Sequence, residues 1–200
     1  PENVSSTRRL CGQRASDASE LQFLLETNSS GVLHYYFSIS NSSYEVQGDA
    51  LVANRWYHIA VTRNGNVHTL YVNGHSVGTR TQSGTLDDRA QPFSIGRQGN
   101  YTSDTFDGYI QDFRFYKGVA KYTQNFIPAA TSPDILPDTP SGVSGSSKLT
   151  KITDGGAVYF DGDNDFLQVL DSDDFNVGTG DFTLECFVNS EDNSDYQGVF

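Results

Sequence analysis

The sequence lacks several features that mark an enzyme, a membrane protein or a nucleic-acid-binding protein. It has no methionine and two cysteines, and its 13 lysine and arginine residues against 25 aspartate and glutamate residues give a formal charge of −12. Nucleic-acid binding depends on clustered basic side chains, so this charge argues against a nucleic-acid partner. No apolar run approaches the roughly 20 residues of a membrane-spanning helix, so we expect no membrane insertion. Since the chain begins with proline and has no methionine, we expect it to be an internal segment of a longer polypeptide.

The two cysteines, Cys11 and Cys186, do not have the spacing of a metal site. Neither belongs to a Cys-x-x-Cys or Cys–His pattern, so a zinc site would need additional ligands. We interpret both as buried free thiols. A disulfide between them is the alternative in an oxidising environment.

Short alternating segments separated by turn residues predict a protein made of β-strands. The segment from Trp56 to Thr81 has two Asn-Gly pairs between alternating runs, which predicts a meander of strands at 56–63, 66–72 and 75–81. No segment has a sustained period of 3.6 residues, so the helix content should be small. Strands at this spacing predict an all-β antiparallel sandwich. Further strands are predicted at 20–26, 32–40, 92–98 and 106–118, and the predicted core includes Ile59, Val61, Leu70 and Val72.

Composition divides the chain into three parts. Residues 1–128 carry the strands described above. Residues 129–156 are rich in proline, serine and glycine, which is typical of a linker. Strand patterns return in residues 157–200, which we treat as a third part.

Three blocks of sequence resemble the laminin-G-like 3 / concanavalin-A-like lectin-glucanase superfamily. They are WYHIAVTRNGNVHTLYVNG, FSIGRQ and FDGYIQDFRFYKGVAKYTQNF. The last block looks like the closing strand and tail of modules found in phage tail proteins and large bacterial surface proteins. The resemblance implies an antiparallel jelly-roll β-sandwich, located outside a cell, on a cell surface or on a virion, that binds a glycan or another cell-surface ligand.

The third part resembles the beginning of the same family. YFDGDNDFLQVLDSDDFNVGTGDFTLECFV looks like its opening strands, so residues 1–128 would be a laminin-G-like module that lacks them. A sandwich without its opening strands would expose a wide apolar face and unpaired strand edges. The missing strands could come from sequence before Pro1, from residues 157–200 of the same chain, or from residues 157–200 of a neighbouring copy.

The predicted ligand-binding residues are Asn100, Tyr101 and Asp104. They lie in a polar loop between two predicted strands, where an aromatic ring beside amide and carboxylate groups would suit a sugar. An ordinary polar loop is the alternative interpretation. For Trp56, the resemblance implies a packing role at the start of a strand, because the family has an aromatic residue there.

The predicted metal ligands are Asp161, Asp163 and Asp165, which alternate in the sequence DGDND. Alternating carboxylates begin the oxygen-ligand pattern of calcium loops, so calcium is the cofactor that this segment would hold. An EF-hand, however, requires glycine at the sixth position, where this chain has Phe166. The missing glycine and the missing distal glutamate favour a polar turn.

The sequence shows no pair of residues suited to catalysis. Glycoside hydrolysis needs two carboxylates, and the glucanases of this superfamily carry Glu-x-Asp-x-x-Glu, whereas the strand FTLECFV has only Glu185. His58 and His68 could be cross-strand neighbours in the meander and form a structural pair. We therefore expect a non-catalytic binding module. The alternative is a structural subunit of a fibre or tandem-repeat filament, in which neighbouring copies exchange strands.

Overall fold

The computed structural model describes residues 8–14, 21–97, 105–128, 158–161 and 165–190. Within these ranges the chain forms β-strands and one short 3-10 helix at Asp173–Phe175, so the predicted all-β fold is confirmed. The strands are β1 (Arg8–Arg14), β2 (Leu21–Thr27), β3 (Val32–Ile39), β4 (Ser42–Ala50), β5 (Trp56–Asn64), β6 (Val67–Val72), β7 (His75–Thr81), β8 (Phe93–Ile95), β9 (Asp107–Lys117), β10 (Val158–Asp161), β11 (Leu167–Val169) and β12 (Phe182–Ser190).

The strands form two antiparallel sheets that make a sandwich. Sheet A has the order β11-β8-β1-β2-β3-β4, and sheet B has the order β10-β9-β12-β5-β6-β7. The predicted meander is present as β5, β6 and β7, which pair consecutively. The prediction of an antiparallel β-sandwich is therefore confirmed.

The core lies between the sheets and consists of side chains that alternate along the strands with outward-facing ones. The four core residues predicted from the meander are buried. Aromatic rings from both sheets meet in this core, and the ring centroids of Phe23 and Phe182 are 6.3 Å apart. The inward-facing residues of β12 are Phe182, Leu184, Cys186 and Val188.

Both cysteines lie in this core as free thiols, which agrees with their interpretation from the sequence. Cys11 belongs to β1 in sheet A, and Cys186 belongs to β12 in sheet B. Burial raises the pKa of each thiol well above its ordinary value. Both side chains therefore act as small apolar packing groups in their neutral form.

β12 lies in the centre of sheet B although it follows the other described strands in the sequence. It pairs with β5 on one side, where Cys186 is opposite Ile59, and with β9 on the other, where Leu184 is opposite Phe115. β10 pairs with β9, and β11 pairs with β8. Strands before residue 128 and strands after residue 157 therefore share both sheets. The predicted linker, 129–156, lies outside the described residues, and the three-part division of the chain stays a prediction.

The turn between β6 and β7 depends on Gly74. Its φ is 78°, and a Cβ at this position would lie 2.0 Å from the backbone oxygen of Phe126. We expect Gly74→Ala to lower the free energy of unfolding by about 3 kcal/mol, because the left-handed conformation and the clash both cost energy. Urea denaturation at pH 7 measures this loss.

Gly65, in the turn between β5 and β6, provides a matched control for Gly74. Its φ is 59°, but no atom would lie within 4 Å of an added Cβ. Gly65→Ala should therefore cost only the conformational part, about 1 kcal/mol. Equal losses in the two variants would show that Phe126 does not restrict residue 74.

Candidate functional site

The outer face of sheet B is divided into a covered part and an open part. The covered part lies under residues 119–126, which follow β9 and which we call the tail. The backbone N–H of Lys121 donates to Thr183 Oγ1 at 2.8 Å, and this hydroxyl donates to the carbonyl oxygen of Val119 at 3.1 Å. The rings of Tyr122 and Phe126 stack with centroids 3.5 Å apart. These contacts hold the tail against the sheet.

A buried carboxylate, Glu185 of β12, lies at the centre of the covered part. Tyr122 donates its hydroxyl hydrogen to Glu185 Oε2 at 2.5 Å, and His58 Nε2 lies 3.1 Å from the same oxygen. Lys121 Nζ forms an ion pair with the other oxygen, Oε1. The network therefore connects β12 with β5 and with the tail.

The environment of Glu185 keeps the carboxylate ionised. Burial alone would raise its pKa, but the hydrogen bonds from His58, Lys121 and Tyr122 and the positive charge of Lys121 outweigh burial and lower the pKa to about 2. Burial and the Glu185 carboxylate together raise the pKa of Tyr122. A general acid needs a proton to give and access to substrate, and Glu185 has neither. Because the network links β12 to β5 and to the tail, we interpret it as structural.

The sequence did not reveal the partners of Glu185, which come from distant segments. The only signal in the sequence was the Lys-Tyr pair, Lys121 and Tyr122, in the block GVAKYTQNF. The predicted pair of His58 and His68 is wrong, because His68 lies opposite Arg63 and faces the core, where its ring stacks on that of Phe37 at 3.8 Å. Burial and the nearby Arg63 lower the pKa of His68 to about 3, so this imidazole is neutral.

The open part of the face carries a row of four side chains, Trp56, Asn189, Tyr109 and Tyr159, which we call the aromatic row. Trp56 is directly opposite Asn189, Asn189 is opposite Tyr109, and Tyr109 is opposite Tyr159. Directly opposite residues lie on the same face of a sheet. The neighbouring residues Val188, Ile110 and Phe160 are buried in the core, so the row faces outward.

The rings of the aromatic row are accessible and close together. Trp56 is 44% exposed and Tyr159 is 46% exposed. The ring centroids of Trp56 and Tyr109 are 6.4 Å apart, and those of Tyr109 and Tyr159 are 4.7 Å apart. Two strand spacings of about 4.8 Å separate Trp56 from Tyr109, so these two rings lean towards each other across Asn189.

Two details of the row bear on ligand binding. The Oδ1 atom of Asn189 is buried and has no hydrogen-bond partner among the described residues. Trp56 does begin a strand, β5, and its ring packs against that of Tyr109, but it is exposed and is not part of the buried core. The row therefore offers accessible ring faces beside a buried amide oxygen, which would accept a hydrogen bond from a ligand group that reaches between the rings of Trp56 and Tyr109.

The predicted ligand-binding residues Asn100, Tyr101 and Asp104 lie outside the described residues. Their role as a ligand-binding loop therefore stays a prediction. The aromatic row does not include them.

The predicted metal ligands are only partly described. Asp163 lies outside the described residues. The backbone N–H of Asp161 donates to Asp165 Oδ2 at 3.1 Å. In the part of the chain that the structure describes, no group of three or more histidine, cysteine, aspartate or glutamate residues could hold a metal. The calcium site stays a prediction.

A small apolar groove lies at the opposite edge of the sandwich from β4 and β7. Its walls include Ile95, Ile110, Phe113, Val158 and Leu167, and its volume is about 130 Å³. Sites for small molecules usually enclose about 300–1,000 Å³ and combine apolar walls with several polar groups. The groove is therefore a weaker candidate than the aromatic row.

Comparison with known proteins gives one match. The family model Laminin_G_3, described as the Concanavalin A-like lectin/glucanases superfamily, matches residues 1–124. Neither a curated protein nor a solved structure matches the chain. Among the described residues, no helix has the length and apolar character needed to span a membrane. The matched range contains Trp56 and Tyr109, while Asn189 and Tyr159 lie beyond it.

Proposed function

Because the chain belongs to the concanavalin A-like lectin/glucanase superfamily, we propose that it is a non-catalytic module that binds carbohydrate through the aromatic row. Laminin-G-like domains are in general binding modules, although the superfamily also includes glucanases. The observation that carries the proposal is the alignment of Trp56, Asn189, Tyr109 and Tyr159 on the open part of the outer face.

Carbohydrate suits this surface because a sugar ring has an apolar face of C–H groups and a rim of hydroxyl groups. Tyrosine and tryptophan rings combine a large apolar face with one polar group. Trp56 and Tyr159 present such faces to solvent. The Asn189 amide between them can pair with hydroxyl groups, which are both donors and acceptors.

The arrangement of carboxylates supports a binding role rather than hydrolysis. Glu185 is buried beneath the tail and is kept ionised by its partners. Asp107 and Asp161 lie at the end of the aromatic row, directly opposite each other. They stand on an open sheet face, whereas enzymes that cleave glycosidic bonds enclose and distort the sugar at the reacting bond.

The location that we propose is extracellular, at a cell surface or on a virion, where a glycan-binding module would act in adhesion. The support is the family, since laminin-G-like domains are often extracellular. The acidic composition, with a formal charge of −12, is compatible with such a location.

Assembly with neighbouring copies is a second candidate function, and the position of β12 is the observation that favours it. β12 is joined to β9 only through a long segment that includes residues 129–157, and it fills the gap between β5 and β9. Another copy could in principle supply the same strand. A strand that belongs to the same chain as its sheet has an effective concentration in the millimolar range, so closure within one chain should dominate in dilute solution.

Trp56→Ala tests the proposed function. We expect it to raise the Kd for a bound oligosaccharide at least tenfold, which is about 1.4 kcal/mol, because the variant lacks the largest ring of the row. The ligand is first identified on a glycan array, and its Kd is then measured by isothermal titration calorimetry. Mass spectrometry of the recovered sugar shows whether it has been cleaved.

Val67→Ala is the matched control, since Val67 is an exposed apolar residue on β6, away from the row. It should leave the Kd unchanged. The proposal of binding at the row is wrong if no glycan on the array binds, or if Trp56→Ala binds as tightly as the unaltered chain. Cleavage of the sugar would contradict the non-catalytic part.

A further inference from the structure

We infer that the ligand of the aromatic row is a neutral oligosaccharide of at least two sugar rings, and that the row discriminates against anionic glycans. This inference rests on the proposed function and adds the length and the charge of the ligand. The two parts depend on different observations, the span of the row and the acidic residues at one end of it.

The span of the row sets the length of the ligand. The row crosses β5, β12, β9 and β10, which are neighbours in sheet B. Three spacings of about 4.8 Å put the backbones of Trp56 and Tyr159 about 14 Å apart. Their rings lean inward through Tyr109, with centroid distances of 6.4 Å and 4.7 Å, so the rings span at most about 11 Å, which is still longer than a single sugar ring. Since the two terminal side chains, Trp56 and Tyr159, are the most exposed members, a ligand that contacts both must have at least two rings.

The middle of the row provides a polar contact between these two ring-stacking positions. Asn189 lies between Trp56 and Tyr109, and its Oδ1 atom has no hydrogen-bond partner among the described residues. A buried acceptor without a partner is unfavourable. A ligand hydroxyl that enters between the two rings would donate to this oxygen. A chain of sugars has hydroxyl groups between its ring faces and can make both kinds of contact at once.

The charges at the Tyr159 end determine which glycans are accepted. Asp107 and Asp161 are directly opposite each other on β9 and β10. Each lies two residues from a tyrosine of the row, Tyr109 or Tyr159, so both are on the outer face. The Trp56 end of the row differs in charge, because the exposed Arg55 directly precedes Trp56. A carboxylate or sulfate group on a sugar at the Tyr159 end would lie beside two carboxylates of the protein, and the formal charge of −12 adds to this repulsion.

The first test compares neutral and anionic glycans on the full chain. A glycan array that contains both classes identifies ligands, and titrations follow with neutral tetrasaccharides such as cellotetraose and maltotetraose and with tetragalacturonate. We expect the Kd of the best neutral ligand to be at least tenfold lower than that of any anionic ligand. The Kd of the neutral ligand should change less than twofold between 50 and 500 mM NaCl, because salt does not screen the binding of an uncharged ligand.

Two sets of variants test the length and the charge separately. Tyr159→Ala should raise the Kd of a bound tetrasaccharide at least fivefold and that of the corresponding disaccharide by a smaller factor. The double variant Asp107→Asn, Asp161→Asn should reduce the ratio between the anionic and neutral Kd values at least threefold. Circular dichroism and Tm show whether each variant retains the fold.

The outcomes separate this inference from the function on which it rests. Tighter binding of anionic glycans, or an unchanged ratio in the double variant, would overturn the charge assignment while leaving carbohydrate binding intact. The length assignment is wrong if Tyr159→Ala raises the Kd of the tetrasaccharide and that of the disaccharide by the same factor, or if it changes neither Kd. If no glycan binds the unaltered chain, both the inference and the proposed function are wrong.

Discussion

Replacing Arg63 with methionine should lower the free energy of unfolding by about 4 kcal/mol, because Arg63 holds three loops together from inside the sandwich. Its side chain faces inward from β5 and is 1% exposed. Nε donates to the carbonyl oxygen of Gly65 at 2.9 Å, Nη1 to that of Gly178 at 2.9 Å, and Nη2 to that of Gly84 at 2.5 Å. Without the guanidinium, these acceptors lose a charged donor, and a buried unpaired acceptor costs about 1–3 kcal/mol.

Urea denaturation at pH 7, followed by circular dichroism, measures the effect of Arg63→Met. Arg63→Lys should give an intermediate loss, because lysine keeps the charge but lacks the planar group that reaches three acceptors. Arg55→Met is the control, since Arg55 is exposed just before β5, and should change stability by less than about 0.5 kcal/mol. A loss near 1 kcal/mol for Arg63→Met, the usual contribution of one hydrogen bond, would contradict the role assigned to Arg63.

Replacing Glu185 with glutamine should destabilise the protein by about 3 kcal/mol at neutral pH. The variant leaves the ammonium of Lys121 buried at the surface of β12 without its counter-charge. A buried charge that has lost its partner is strongly unfavourable. Glutamine is similar in size, so the loss reflects charge and hydrogen bonding rather than a cavity. Urea denaturation compares the variant with the unaltered chain.

The stability that Glu185 provides should depend on pH in the acidic range. Its pKa is about 2 in the folded protein and 4.5 ordinarily. A carboxyl group with a lowered pKa stabilises the fold fully above its unfolded pKa and loses this contribution as the pH falls towards the folded value. The difference between the unaltered chain and Glu185→Gln should therefore be constant from pH 8 to about pH 6 and smaller by about 2 kcal/mol at pH 3.

Glu45→Gln is the matched control for Glu185→Gln, because Glu45 also contacts a histidine, His34, but its side chain is 40% exposed. Solvent screens a pair in which one partner is exposed, so this variant should lose less than about 1 kcal/mol. A difference for Glu185→Gln that stays constant between pH 7 and pH 3 would show that its carboxyl group is not held ionised by the network.

The parts of the fold that sequence predicts best are those whose determinants are local. The meander of β5, β6 and β7 follows from two Asn-Gly turns between alternating runs, and residues 65 and 74 do adopt positive φ. β4 was not predicted, because only Val46 in the sequence SSYEVQGDA is buried and an edge strand with one buried side chain has no apolar alternation. The position of β12 depends on pairing with β5 and β9, which no local pattern encodes.

The candidate site was not predicted for the same reason. Trp56, Tyr109, Tyr159 and Asn189 each resemble an ordinary strand residue in their own segment, and only the register of four strands aligns them. Sequence reasoning instead favoured a polar loop, because loops with aromatic and amide residues are recognisable locally. Arg63 was equally inconspicuous, since an arginine beside an Asn-Gly turn normally lies in solvent.

The central position of β12 has a consequence for how the protein acquires its fold. Contacts between β5 and β12 join residues far apart in the sequence, as the sequence separation of 127 between His58 and Glu185 shows. During synthesis, β5 and β9 emerge from the ribosome well before β12, so sheet B remains in two pieces with unpaired edges until residues 182–190 are available. Long-range pairing of this kind slows folding. The rate-limiting step should therefore be the insertion of β12 rather than the formation of the hairpins.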